Sequence, residues 1–121
     1  MIDYQKILAK DPIELADWIL REFYEDLPKE VITTQDMENA SKMLLRLSSA
    51  YSYLSALLSY AKILARQAKR SGEKETYEDM VDRKEIIQNA LDGVKQQYSA
   101  LSRAVTIKIE NNSELRMLGH F

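Results

Sequence analysis

Between residues 33 and 72 the apolar side chains recur at strides of three and four without a slip: Met37, Ala40, Leu44, Leu47, Tyr51, Leu54, Leu58, Ala61, Ala65 and Ala68. That spacing is the seam an α-helix buries against a partner helix. Met43, Ala50, Leu57 and Leu64 recur every seventh residue beside the seam and widen it into a core-facing stripe. The ends are marked as well. Thr33 suits the N-cap, with Asp36 three residues on to reach back to free backbone N–H groups. Lys69 and Arg70 complement the negative pole of the helix dipole, and Gly72 supplies a left-handed residue to end it. Such a helix is roughly 60 Å long, which is long for one small domain.

A partner of matching length follows the turn at Ser71-Gly72. Tyr77, Met80, Lys84, Ile87, Leu91, Val94, Tyr98, Leu101 and Val105 repeat the same strides, with Lys84 the one polar intruder. Short turn and matched seams predict an antiparallel helical hairpin. Its register sets Arg66 near Asp79, Lys69 near Glu75 and Lys62 near Asp82, so ordinary interhelix ion pairs account for those bases. At the end of this helix Val105, Ile107 and Ile109 alternate with polar residues in the manner of a strand. A lone strand would have no evident partner, so helix is expected to about Asn111, a break over Asn111-Asn112-Ser113, and one last turn from Glu114 to Leu118.

Ahead of the hairpin, residues 2–10 are short and amphipathic, and a first helical turn or an arm is expected there. Asp11-Pro12 then opens a helix, with Asp11 as N-cap and Glu14 in the first turn. Ile13, Ala16, Leu20, Phe23 and Leu27 give its expected seam, with Leu15, Trp18 and Ile19 beside it; Pro28 stops it. The reading is thus all-α: one domain over residues 1–121, with an N-terminal helical segment (1–32), the hairpin (33–112) and a tail (113–121).

The 121 residues contain no cysteine, which removes disulfide frameworks and thiolate metal sites. Asp3, Lys6, Lys10 and Asp11 interrupt the start, where a signal peptide would need an apolar run. The one long uncharged stretch, between Arg46 and Lys62, holds five serines and is too short and polar to span a bilayer. A cytoplasmic protein is expected. No phosphate loop, nucleophile elbow or metal-binding histidine pair is present. The sole histidine, His120, sits at the C-terminus. The chain reads as a non-enzyme without metal or cofactor.

Two features depart from a plain bundle. From Leu47 to Ala61 the central helix is apolar or small nearly all round, and Ser48, Tyr51, Tyr53, Ser55, Leu57, Tyr60 and Leu64 are the candidate interface residues. A helix apolar on several faces is buried on several faces, and the expected cover is a second copy of the chain, giving a homo-oligomeric bundle. The competing arrangement is a monomer whose N-terminal helix lies over that face. The second feature is charge. Residues 1–40 carry ten acids and four bases, residues 41–72 six bases and no acid, and residues 73–121 nine acids and seven bases. The register carries Lys42 and Arg46 towards Arg103 and Lys108, a basic group that no hairpin acid answers. Positive patches with tyrosines for base stacking make a single-strand phosphate track.

The segments Asp36-Met37-Glu38-Asn39-Ala40-Ser41-Lys42-Met43-Leu44 and Ala100-Leu101-Ser102-Arg103-Ala104-Val105-Thr106-Ile107-Lys108-Ile109, with the tail Glu114-Leu115-Arg116-Met117-Leu118-Gly119, lie in a layout that resembles the UvsY-type phage recombination mediators. The resemblance covers roughly residues 30–119. It implies a helical, ring-forming protein that binds single-stranded DNA and helps to load a recombinase. The basic positions it implies are Lys42, Arg46, Lys62, Arg66, Arg103 and Lys108. The competing class is a small phage anti-defence protein that inhibits a host nuclease complex by protein–protein binding. There the acidic face of Asp17, Glu22, Glu25 and Asp26 would act, by mimicry of nucleic acid or by docking on a basic surface.

Overall fold

The computed structural model describes the backbone of residues 3–119 and the side chains of residues 3–111. Four helices follow in order: α1 Tyr4–Leu8, α2 Pro12–Phe23, α3 Thr34–Arg70 and α4 Lys74–Gly119. No strand occurs among the described residues.

α3 starts where a reciprocal cap can form. The Thr33 hydroxyl accepts from the Asp36 N–H at 3.0 Å, and the Asp36 carboxylate accepts from the N–H groups of Thr33 (2.9 Å) and Ile32 (3.0 Å). Those two backbone donors hold the Asp36 pKa below its ordinary value, with a smaller contribution from the charge of Lys108. α3 ends on Gly72 at φ +74°, where the Glu73 N–H reaches back to the Ala68 carbonyl at 3.0 Å. That closure turns the chain into α4 and makes the hairpin. α4 runs unbroken to Gly119, across the expected interruption at Asn111-Asn112-Ser113. Asn and Ser each lower helix stability by less than about 0.7 kcal/mol, and neither Gly nor Pro stands between Gly93 and Gly119 to stop the ladder.

The hairpin core is the seam plus part of its flank. Leu47, Leu54, Leu57, Ala61, Ile87 and Leu101 are all nearly inaccessible. Ala50 and Leu57 belong to this core because α1 and α2 lie over them, filling the angle between the long helices. α2 ends at Phe23, short of Pro28, with Tyr24 already extended. The segment that follows is tied down instead by Gln97, whose amide donates to the Glu25 carbonyl at 2.9 Å. α2 also turns a different face inward from the one its strides suggest. Leu15 and Ile19 are buried, whereas Ile13 and Leu20 are 76% and 60% exposed. A helix laid in the angle between two others must bury the stripe that meets both, so the Leu15/Ile19 line goes in and the Ile13/Leu20 line is left outside.

Arg83 locks this arrangement. Buried to 9% exposure, its Nε donates to the Lys10 carbonyl at 3.1 Å and another guanidinium nitrogen to the Asp79 carbonyl at 2.9 Å. The clamps at Arg83 and Gln97 also fix direction: α2 runs parallel to α4.

Candidate nucleic-acid interface

The aromatic flank of α3 is sealed within the single chain. Tyr53 packs against Tyr4 (ring centroids 6.0 Å apart), Trp18 (6.1 Å) and Phe23 (5.3 Å), and Tyr60 lies 5.8 Å from Tyr4. Burial, followed by the neighbouring Tyr4 and Glu22, pushes the Tyr53 pKa up. The expectation that sister copies cover this flank is therefore corrected. Tyr53, Leu57 and Tyr60 are covered by the N-terminal helices, Leu64 packs against the core, and Ser55 is half-buried. The aromatic content of residues 4–23 is what makes intramolecular cover sufficient. Ser48 and Tyr51 remain exposed, on another side of α3.

The basic residues are redistributed too. Arg46 forms a two-pronged ion pair with Glu25, at 2.7 and 3.2 Å, which raises the Arg46 pKa through the hydrogen bond first and charge attraction second. Lys108 shares a hollow with Lys29, Ile32 and Ile107 and contributes to the field at Asp36. Arg103 lies in a separate shallow hollow with Lys95 and Gln96. Lys42 is exposed one turn before Arg46. So these bases do not line one hollow: at one level of the hairpin, Arg46 and Lys108 lie on the side of the segment after α2 and Arg103 on another. The same distinction undoes the expected pairs of Lys62, Arg66 and Lys69 with Asp82, Asp79 and Glu75. Among the described residues the one ion pair within 4 Å is Arg46–Glu25, and Lys69 instead sits 5.9 Å above the Tyr77 ring.

The acidic face is also divided. Asp17, Glu22 and Asp26 are exposed while Glu25 is held by Arg46. Five residues separate Asp17 from Glu22, a rotation of about 140° around a helix, and Asp26 lies beyond the end of α2.

What the fold does bring together lies on the open face of the hairpin, opposite α1 and α2. Tyr51 and Tyr98, 43% and 42% exposed, line one hollow of about 290 Å³ with Ser48, Lys95 and Ser99. From there, helical strides carry α3 through Ser55, Lys62, Arg66 and Lys69, and carry α4 through Lys95 and Gln88 to Lys84. α3 places no carboxylate on its stripe, and α4 places one, the exposed Asp92 between Lys95 and Gln88, which accepts from the Gln88 amide at 3.1 Å. α4's acids Asp79 and Asp82 follow the strides of Ile86 and Ala90 instead, on the side that meets α2. Lys62 and Arg66, two of the basic positions the resemblance implies, are both exposed on the α3 stripe. Lys84 and Tyr98 belong to the partner seam that the strides predict, and Lys95 is not among its residues; the signal for Lys84 and Tyr98 is that a Lys and a Tyr in an otherwise aliphatic seam mark its rim.

These features define an all-helical protein built on a long antiparallel hairpin with a helical N-terminal cover. No protein-family model matches the chain, and neither the curated proteins nor the solved structures compared with it offer a match. Among the described residues no cluster of His, Cys, Asp or Glu could hold a metal ion, and no helix is long and apolar enough to cross a membrane.

Proposed function

We propose that the protein is a non-enzymatic binder of single-stranded nucleic acid, and that the strand lies along the open hairpin face. The supporting observation is the pair of half-exposed tyrosines in one hollow, continued by five cations against the single stripe carboxylate Asp92. Tyr51 and Tyr98 offer π-faces to bases, Ser48 and Ser99 offer hydroxyls, and Lys62, Arg66, Lys69, Lys84 and Lys95 meet phosphates. The α3 stripe from Ser48 to Lys69 is about 32 Å long. The layout that resembles recombination mediators supports a role in presenting the strand to a recombinase, in the cytoplasm of a phage-infected cell. The track belongs to one chain and needs no ring.

Anisotropy of a labelled single-stranded oligonucleotide, measured from low to moderate salt, tests this. Five phosphate contacts correspond to a log–log salt slope of about −3.5. Replacing Tyr51 or Tyr98 by Ala weakens binding by about 1–3 kcal/mol, whereas charge reversal at Lys42 leaves it unchanged. No binding at low salt, or equal affinity after reversing Lys62 and Lys95, removes the reading.

A further inference from the structure

The groove between α2 and α4 encloses about 570 Å³, and its walls are mostly apolar: Ala16, Leu20 and Phe23 from α2, Ala90 and Gly93 from α4. Beside it stands the Ile13, Leu20 and Tyr24 ridge, 76%, 60% and 67% exposed. A Cβ added at Gly93 meets no atom within 4 Å, so nothing in this chain fills the space above that glycine.

The order of residues along this surface says what does. Strides of three and four lead along α4 through Asp82, Ile86, Asn89, Gly93, Gln96, Ala100 and Arg103. Read backwards against itself and centred on Gly93, this stripe is self-complementary. Asp82 meets Arg103, Ile86 meets Ala100, Asn89 meets Gln96 and glycine meets glycine. On the α2 ridge the apolar ends match, Ile13 facing Tyr24 about a centre between Trp18 and Ile19, while Asp17 falls opposite Leu20 with Arg21 beside it. The Arg83–Lys10 and Gln97–Glu25 bonds place that centre at about Leu91 of α4, within about 3 Å along the axis of Gly93. One rotation axis serves both helices.

We propose that this face is a two-fold interface between two copies of the chain, packed α4 against α4 and α2 against α2, antiparallel. A two-fold interface demands that one patch complement itself. On the α4 stripe apolar, amide and charged positions all do so about one centre. The glycine at the centre lets the two α4 backbones approach closely. With stripes of about 32 and 17 Å on helices about 10 Å across, each copy covers roughly 500 Å². That is the lower end of specific interfaces, so association is in the micromolar range. Tyr51, Tyr98 and Lys84 lie off this stripe and stay uncovered in both copies, while Lys95, which shares a hollow with Gln96 and Arg103, stands at its edge.

Sedimentation velocity from a few to several hundred micromolar reads the equilibrium. The expected result is a concentration-dependent monomer–dimer shift that Leu20→Asp and, independently, Gly93→Lys abolish; both positions point away from the core, so both variants keep the helical fold. The sharper arm is charge exchange. Asp82→Arg alone and Arg103→Asp alone each weaken the homodimer about tenfold, because each turns two symmetry-related attractions into repulsions. An equimolar mixture of the two variants restores dimer as a heterodimer. A monomer at every concentration, a dimer indifferent to these substitutions, or a mixture no better than its components overturns the proposal.

Discussion

Arg83 is the side chain on which the N-terminal cover depends, and replacing it with Met isolates what its charge does. Methionine retains most of the aliphatic packing but donates nothing. The Asp79 carbonyl keeps its helical partner, so little is lost there. The Lys10 carbonyl has no other described donor and is left unpaired at the α1–α2 junction, at a cost of about 1–3 kcal/mol. Relief of the buried guanidinium's desolvation offsets part of this. A net loss of about 2 kcal/mol raises the undocked population about thirty-fold.

The loss is local, and the chain carries its own reporter. Trp18, the single tryptophan, lies 5.5 Å from Phe23 and 6.1 Å from Tyr53, inside the contact between cover and hairpin. In urea, Trp18 emission follows undocking of α1 and α2, while far-ultraviolet ellipticity follows the long helices. For Arg83→Met the emission transition moves to lower urea and precedes the ellipticity transition. Arg83→Lys, which can reach one carbonyl, falls between. An emission midpoint shifted by less than about 0.5 kcal/mol equivalent, the range of ordinary surface substitutions, refutes the assignment of Arg83 as a clamp.

Gly93→Ala stabilises the monomer by up to about 1 kcal/mol in thermal melts, because it removes a helix-interior glycine without a clash. Because the folded-state pKa of Asp36 is depressed, its contribution is present above the unfolded carboxylate value and is lost as pH falls through the folded one. The stability gap between wild type and Asp36→Ala, measured by denaturation, therefore narrows below about pH 4. Tyr53 has the opposite sign: its raised pKa contributes below the unfolded phenol value and is lost as pH rises above about 10. Alkaline titration followed by Trp18 emission shows undocking that Tyr53→Phe lacks.

Periodicity made the hairpin legible because long helices with one turn leave few alternatives: the strides, the Thr33–Asp36 cap and Gly72 each specify local structure by themselves. The level at which α3 residues meet α4 residues was legible for the same reason, as Leu47, Ser48 and Tyr51 lie against Val94, Lys95 and Tyr98. Azimuth was not. Whether Lys62 faces Asp82 depends on where α2 lies, and that depends on contacts between residues more than thirty apart, such as Tyr4 with Tyr53. Stride analysis ranks the Ile13/Leu20 and Leu15/Ile19 stripes of α2 nearly equally, because both are apolar. The exposed stripe was therefore hidden among apparently buried ones, and with it the groove.

The position of the cover also decides how charge is divided. α3 carries no acid from residue 41 to 72, so any carboxylate near its bases has to come from α4 or from the N-terminal segment. By lying on one side, α2 meets the stripe of α4 that bears Asp79 and Asp82 and contributes Glu25 to Arg46, concentrating acids there. The other side keeps Lys62, Arg66, Lys84 and Lys95 with Asp92 as the one carboxylate on their stripes. A chain of net charge −2 can thus carry a face with a net positive charge, its five cations outnumbering Asp92, although beyond the roughly 8 Å Debye length at physiological salt that field is screened. Undocking α2 would free the acidic segment to reach that face, so Arg83→Met is expected to lower oligonucleotide affinity although Arg83 touches no part of the track. Affinity unchanged in a variant whose Trp18 emission reports undocking would show that the cover plays no part in separating the charges.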